Sequence, residues 1–315
     1  PCGTGGWKRR GRVIFHPGIL ALLIGSALVT LMMLYASVLG VRVIIQWDLD
    51  SSSAFQLSLE RKTYLISTIM NYVLGFQIIS MILFIYTVDD IHKLFVGAMC
   101  ATGSLNANPV GWQALLTKIV ACFAAGLWIV LNYLDQQAED YPLVRLKYLL
   151  LILLLPLAAA DFFLQFRYFL GLDPDIITSC CGSLFSESEE GTASSLAGLP
   201  VRPAMIAFYG GFALMILISL ACLFWQKAFL RYIHSLLAAA FLLVALASVI
   251  AFISMYIYEL PTHHCPFDIL HREYGFIGYP LYITLFCGAF FGLLPGLFRP
   301  AGRIASLGWA VRALE

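Results

Sequence analysis

The chain has little charge. Of its 315 residues only 12% are Asp, Glu, Lys or Arg, and the two signs nearly cancel at +1. A soluble domain carries about 25%. Lys and Arg are too few and too scattered to make a nucleic-acid surface, so no nucleic acid is expected as a partner. Local signatures of chemistry are also missing. There is no Cys-x-x-Cys, no Cys-x-x-Cys-His for covalent haem, and no glycine-rich phosphate loop. Nor is there an HExxH or a serine nucleophile elbow. These absences remove the simplest dithiol, cytochrome, nucleotidase, zinc-protease and hydrolase readings. No repeat of 20–50 residues is evident, which excludes a solenoid.

Apolar residues are what the chain has in excess: 61% of it, with mean hydropathy +0.86. Apolar runs fall near 18–41, 64–87, 112–134, 146–168, 204–225, 234–257 and 276–298. Each reaches the roughly 20 residues that cross a hydrocarbon core. Within lipid every backbone polar group needs an internal partner, so the runs should be helices. Stretches such as Leu149-Leu150-Leu151-Ile152-Leu153 do not alternate as barrel strands would. The expectation is an all-α polytopic transmembrane helical bundle of about seven spans, or eight if 94–110 is re-entrant or crosses. It is read as a single integral membrane domain over 1–315. Ser, Glu and Gly between 183 and 198 make the loop near 171–203 a flexible one. Ile304, Leu307, Val311 and Leu314 form one stripe flanked by Arg303 and Arg312, which suits an interfacial helix near 303–315.

Positive charge near span ends orients such proteins. One side holds Arg42, Arg61, Lys62, Arg145, Lys147, Lys227, Arg231, Arg299, Arg303 and Arg312. The other holds only Lys93, Arg167, Arg202 and Arg272. Loops two, four and six therefore face away from the cytoplasm, in the setting of a bacterial inner membrane. Lys8, Arg9, Arg10 and Arg12 before the first span pull the other way and leave the side of residue 1 open.

Those even loops collect the soft side chains. Loop two has His92 and Cys100, loop four the adjacent Cys180 and Cys181, and loop six His263, His264, Cys265 and His271. Thiols in an extracytoplasmic space tend to be oxidised or metallated. Four loop cysteines allow three connectivities. A vicinal pair bonds to itself only with strain, so Cys180 or Cys181 is expected to bond Cys100 or Cys265. A staple between loops, a reactive redox pair, a metal site and incidental thiols all remain open.

The sharpest motif is Pro261-Thr262-His263-His264-Cys265-Pro266-Phe267-Asp268. A Cys-Pro start is how many redox-active Cys-x-x-Cys sites begin. Here Asp268 occupies the place of the second cysteine, so any disulfide must form with another loop. An imidazolium at His263 or His264 would stabilise a Cys265 thiolate, and a helix starting near Pro266 would add its dipole. For a metal, His263, His264, Cys265, Met99 and His92 are the candidate ligands, and imidazole with thiolate suits a copper or zinc ion. Asp89, Asp90 and His92 are also spaced like divalent ligands. A haem held by two histidines within spans is not supported, since His16 and His234 sit at predicted span ends.

Asp161 lies within a span, where a carboxylate costs about 2.5–3.5 kcal/mol, so it should face the bundle interior. It is either a quinone contact or proton relay beneath the cysteine loops, or an interhelical hydrogen bond to Asn71, Gln77 or Asn132. Cys122, Cys222 and Cys287, within spans, read as small core residues.

The four loop cysteines on one membrane face resemble, in layout, the disulfide-generating membrane oxidoreductases that pass electrons to quinone. Those are smaller bundles with a Cys-x-x-Cys that this chain lacks, so no residue carries over. The leading expectation is a membrane thiol–disulfide or electron-transfer component. Cys265 would exchange, Cys180 or Cys181 would pair with it, and Cys100 would relay towards a quinone. A periplasmic thiol protein or other membrane subunits would be its partners. The alternative is a metal-handling (copper or zinc) or structural subunit of a larger membrane complex or transporter.

Overall fold

The computed structural model describes residues 14–48, 53–95, 97–173, 200–225, 227–260 and 263–314. All regular structure among them is helical: α1 (Pro17–Gln46), α2 (Ala54–Asp90), α3 (Ala101–Asn106), α4 (Gly111–Gln136), α5 (Val144–Leu170), α6 (Val201–Phe224), α7 (Ala228–Ser248), α8 (Ser254–Tyr258), α9 (Gly278–Phe298) and α10 (Gly308–Leu314). A π-helical turn, Val249–Ile253, joins α7 to α8 into one rod. Seven of the resulting helices are long and apolar enough to cross a membrane. The fold is the all-α bundle of seven spans, and lipid takes the place of water around it. Residues 94–110 do not form an eighth crossing helix. Helix α3 has six residues, so it rises about 9 Å against a core of about 30 Å.

The chain divides into two compact units: Pro1–Val96 with Ser104–Ile177, and Gly97–Gly103 with Thr178–Glu315. In the first, α1 packs on α2 and α5, and α4 packs on the same two helices, closing a ring of four. Met33, Val43, Met70, Trp128, Tyr148 and Leu151 fill its core. Leu28, Leu31 and Tyr35 point outward instead, as befits a face solvated by lipid. Polar joints run through this apolar interior. Trp128 donates to the Lys147 carbonyl (3.0 Å) and Tyr148 to the Thr63 carbonyl (3.1 Å). Lys147 is ion-paired to Asp135 at 2.6 Å, and the second Asp135 oxygen accepts the Leu143 N–H.

In the second unit α7 lies between α6 and α9. Helix α6 buries no residue, the mark of a helix apolar all round and bathed in lipid. Pro295 interrupts α9, and a side chain from α7 repairs the damage. Ser235 donates to the Gly292 and Leu293 carbonyls and accepts the Gly296 N–H at 2.8 Å. Proline is tolerated in spans where a neighbour re-satisfies the backbone in this way. Gly296 permits the approach, since a Cβ there would lie 2.5 Å from the Ser235 hydroxyl and 3.0 Å from the Arg231 carbonyl.

His234, expected at a span end, sits inside α7 and bridges the Ser219 hydroxyl (3.0 Å) and the Gly292 carbonyl (3.2 Å). The span starts earlier than the apolar run because Arg231 is buried and helical. Nor are the span cysteines core residues. Cys122 and Cys222 are half-buried, and Cys287 is exposed on α9. At the C-terminus the helix is shorter than expected. Two 3-10 turns, Arg299–Arg303 and Ala305–Leu307, precede α10, and Leu307 and Val311 of the stripe are buried.

Candidate functional site

The site belongs to the second unit and is made by two short segments far apart in sequence: 97–103, and the turn 263–277 between α8 and α9. The turn is pinned at several points. Tyr258, at the end of α8, donates to the Cys265 carbonyl at 2.5 Å, and Tyr282 of α9 donates to the Pro266 carbonyl at 2.6 Å. His264 Nδ1 donates to the Ile250 carbonyl at 2.9 Å. That carbonyl lies in the π-helical turn, where widening of the helix leaves backbone acceptors open to side chains. Gly278 sits against Ile269, leaving no room for a Cβ, which would lie 2.9 Å from the Ile269 backbone. Rings close the outer side: Tyr258 stands edge-on to His263 and to Tyr274, with centroids 4.5 and 4.6 Å apart. Burial first, then the Asp268 carboxylate, holds the Tyr274 phenol above its ordinary range, so it stays protonated.

Within this frame the Sγ atoms of Cys100 and Cys265 face one another at 3.2 Å. Both residues are buried. Cys265 Sγ also contacts the Thr102 hydroxyl (3.3 Å) and accepts the Phe267 N–H (3.4 Å). One donor atom from each of Cys100, Cys265 and Asp268 lies within 4.8 Å of the other two. No other such group of metal-ligating side chains occurs among the described residues. His263 donates to Asp268 Oδ2 at 2.6 Å.

The expected residues are therefore sorted. Cys100 and Cys265 come together directly, where the sequence suggested Cys100 as a relay and loop four as the source of the partner. Cys180 and Cys181 lie outside the described residues. Of the two imidazoles, His263 bonds the Asp268 carboxylate and His264 anchors the turn at the Ile250 carbonyl. The helix expected near Pro266 is a single 3-10 turn, Asp268–Leu270, so the dipole contribution reduces to one N–H, that of Phe267. Met99 is largely exposed. His92 belongs to the first unit, where its Nδ1 contacts the Asp89 carbonyl. Asp90 there accepts from His16 and Lys93, which ties the start of α1 to the end of α2.

Asp161, also in the first unit, is fully buried and accepts from Gln77 of α2 and Lys118 of α4, both at 2.8 Å. This is the interhelical joint foreseen as one of its two readings, with Gln77 among the named partners. Asn132 and Asn71 instead bond to each other at 3.1 Å. Sequence reasoning missed Lys118, Thr102 and the position of Asp268 beside the two cysteines. The only signal for Asp268 was its place three residues after Cys265. No family model, curated protein or solved structure matches this chain.

Proposed function

We propose that Cys100 and Cys265 form a reversible dithiol–disulfide centre on the extracytoplasmic side of a multi-pass membrane protein. Closing the S–S bond releases two protons and two electrons. The disulfide of an extracytoplasmic thiol protein accepts them and becomes its dithiol. Asp268 and His263 lead from the buried thiols towards the surface and provide the route by which the protons leave.

The observation that carries this reading is the 3.2 Å approach of two sulfurs from separate loops. A disulfide is about 2.05 Å long, so roughly 1 Å of side-chain movement forms the bond. The Thr102 hydroxyl and the Phe267 N–H beside Cys265 Sγ favour it as the attacking sulfur, because hydrogen bonds to a thiolate support its charge.

Trapping tests the proposal. In Cys100→Ser, Cys265 has no resolving partner, so attack on a disulfide substrate should stop at a mixed disulfide. The expected result with glutathione disulfide is one stable glutathione adduct at Cys265, which the wild type resolves. Equal adduct on both proteins, or none on Cys100→Ser, contradicts the proposal.

A further inference from the structure

The carboxylate of Asp268 is only half used. The residue is 8% exposed, and His263 donates to its Oδ2. Its Oδ1 is buried and has no hydrogen-bond partner among the described residues. A buried, charged oxygen without a donor is costly, and such an orphan calls for a bound group that supplies one. Beside this carboxylate lies a pair of sulfurs, both within 4.8 Å of one of its oxygens. Two thiolates and a carboxylate converging from a buried shell are a donor set for a metal ion.

We infer that the reduced protein binds one zinc-class divalent cation through Cys100 Sγ, Cys265 Sγ and Asp268 Oδ1, with a fourth coordination position open. The inference rests on the reading that the two cysteines act as a pair, and it adds a ligand to that pair. The spacing suits it. Sulfurs about 2.3 Å from a tetrahedral metal stand roughly 3.8 Å apart, so the pair must open by about 0.6 Å from its 3.2 Å. Donor type selects the ion: a carboxylate is too hard for Cu(I), which favours thiolate and thioether, while zinc accepts sulfur and oxygen together. The surroundings are those of a ligand shell. The His263 N–H fixes the Asp268 carboxylate, and Thr102 and the Phe267 N–H hold the Cys265 sulfur. Outer partners of this kind typically tune metal affinity by 10–100-fold. A disulfide has no thiolate to offer, so oxidation of the pair releases the cation and reduction restores the site. The centre is in this sense a redox-controlled metal site.

Cobalt(II) is the probe, added to the reduced full-length protein in detergent under anaerobic conditions. The expected result is a thiolate-to-cobalt charge-transfer band and the intense visible bands of tetrahedral cobalt, saturating at one equivalent and abolished by zinc. Cys100→Ser and Cys265→Ser should lose the charge-transfer intensity. Asp268→Asn should keep the thiolates but weaken cobalt binding by at least about 10-fold, and His263→Gln should weaken it by about 10–100-fold. Circular dichroism identifies any variant that fails to fold, and the wild-type titration stands without them. Parallel alkylation counts the thiols and reads the pair separately. No cobalt band in a wild type whose Cys100 and Cys265 still interconvert with a disulfide overturns the metal inference and leaves the dithiol reading intact. Unchanged affinity in Asp268→Asn, or a band that survives Cys265→Ser, also overturns it.

Discussion

Cys100 and Cys265 are 165 positions apart in the chain, and their sulfurs stand 3.2 Å apart in the fold. Closing so long a loop covalently removes much chain entropy from the unfolded state, worth up to about 5 kcal/mol in the chain-entropy model. The oxidised protein should therefore melt at a higher temperature than the reduced one. Cys100→Ser and Cys265→Ser should each abolish that difference. A melting temperature indifferent to reductant in the wild type contradicts the pairing.

Thr102 makes a finer test of the thiol. Thr102→Val keeps the shape of a fully buried side chain and removes the hydroxyl 3.3 Å from Cys265 Sγ. Alkylation of Cys265 by a small reagent at fixed pH should slow several-fold, because the thiolate loses a donor. Equal rates in the two proteins would mean that the hydroxyl only fills space.

How much of this was legible in the sequence depends on the range of the interaction. The spans were visible because each is a continuous apolar run. Their ends were less so. Helix α2 starts at Ala54, ahead of the apolar run, because Ser53 caps it by accepting the Gln56 N–H (3.2 Å) and Gln56 is itself buried. Lys118 was invisible for a related reason. It sits between Leu115-Leu116 and Ile119-Val120, so the window remains apolar, and its partner Asp161 is 43 positions away. Asp268 was noticed, but as a missing cysteine rather than a donor, since a spacing rule compares residues with a motif and not with a neighbour from another loop. Pairing of Cys100 with Cys265 is tertiary information that no local pattern carries.

The Lys118–Asp161 joint predicts non-additive stability. Lys118→Met leaves a buried carboxylate with a single donor, from Gln77, and should destabilise the first unit by about 3–5 kcal/mol. Lys118→Met with Asp161→Leu removes both charges and should recover most of that loss. Unfolding in mixed micelles reads both. Additive losses would mean that the two side chains do not act as a pair.

Packing of α7 on α9 predicts a steric effect at Gly296. A Cβ there meets the Ser235 hydroxyl at 2.5 Å, so Gly296→Ala should cost about 1–3 kcal/mol through overpacking and loss of the hydroxyl bridge. Ser235→Ala in addition should relieve part of the clash. Thermal stability of the single and double variants measures this, and an unchanged midpoint for Gly296→Ala would contradict the close approach.

Sidedness is tested by labelling in intact cells. Glu139 and Arg272 are both exposed, and they lie in loops three and six. In a background without the other loop cysteines, Arg272→Cys should react with an impermeant maleimide and Glu139→Cys should not. The charge bias behind this orientation survives the burial of Lys147 and Arg231, since removing both leaves eight basic residues against four. The reverse labelling pattern would place the cysteine pair in the cytoplasm and deny it an extracytoplasmic partner.

The dithiol centre itself is most directly tested by non-reducing peptide mapping of the full-length protein, before and after treatment with a mild oxidant. The expected product is a single cross-linked peptide pair joining Cys100 to Cys265, formed on oxidation and lost on reduction, with Cys122, Cys222 and Cys287 unchanged as thiols. If Cys100 and Cys265 remain separate thiols under oxidant, or if either is found bonded only to another cysteine, the two sulfurs are not a redox pair.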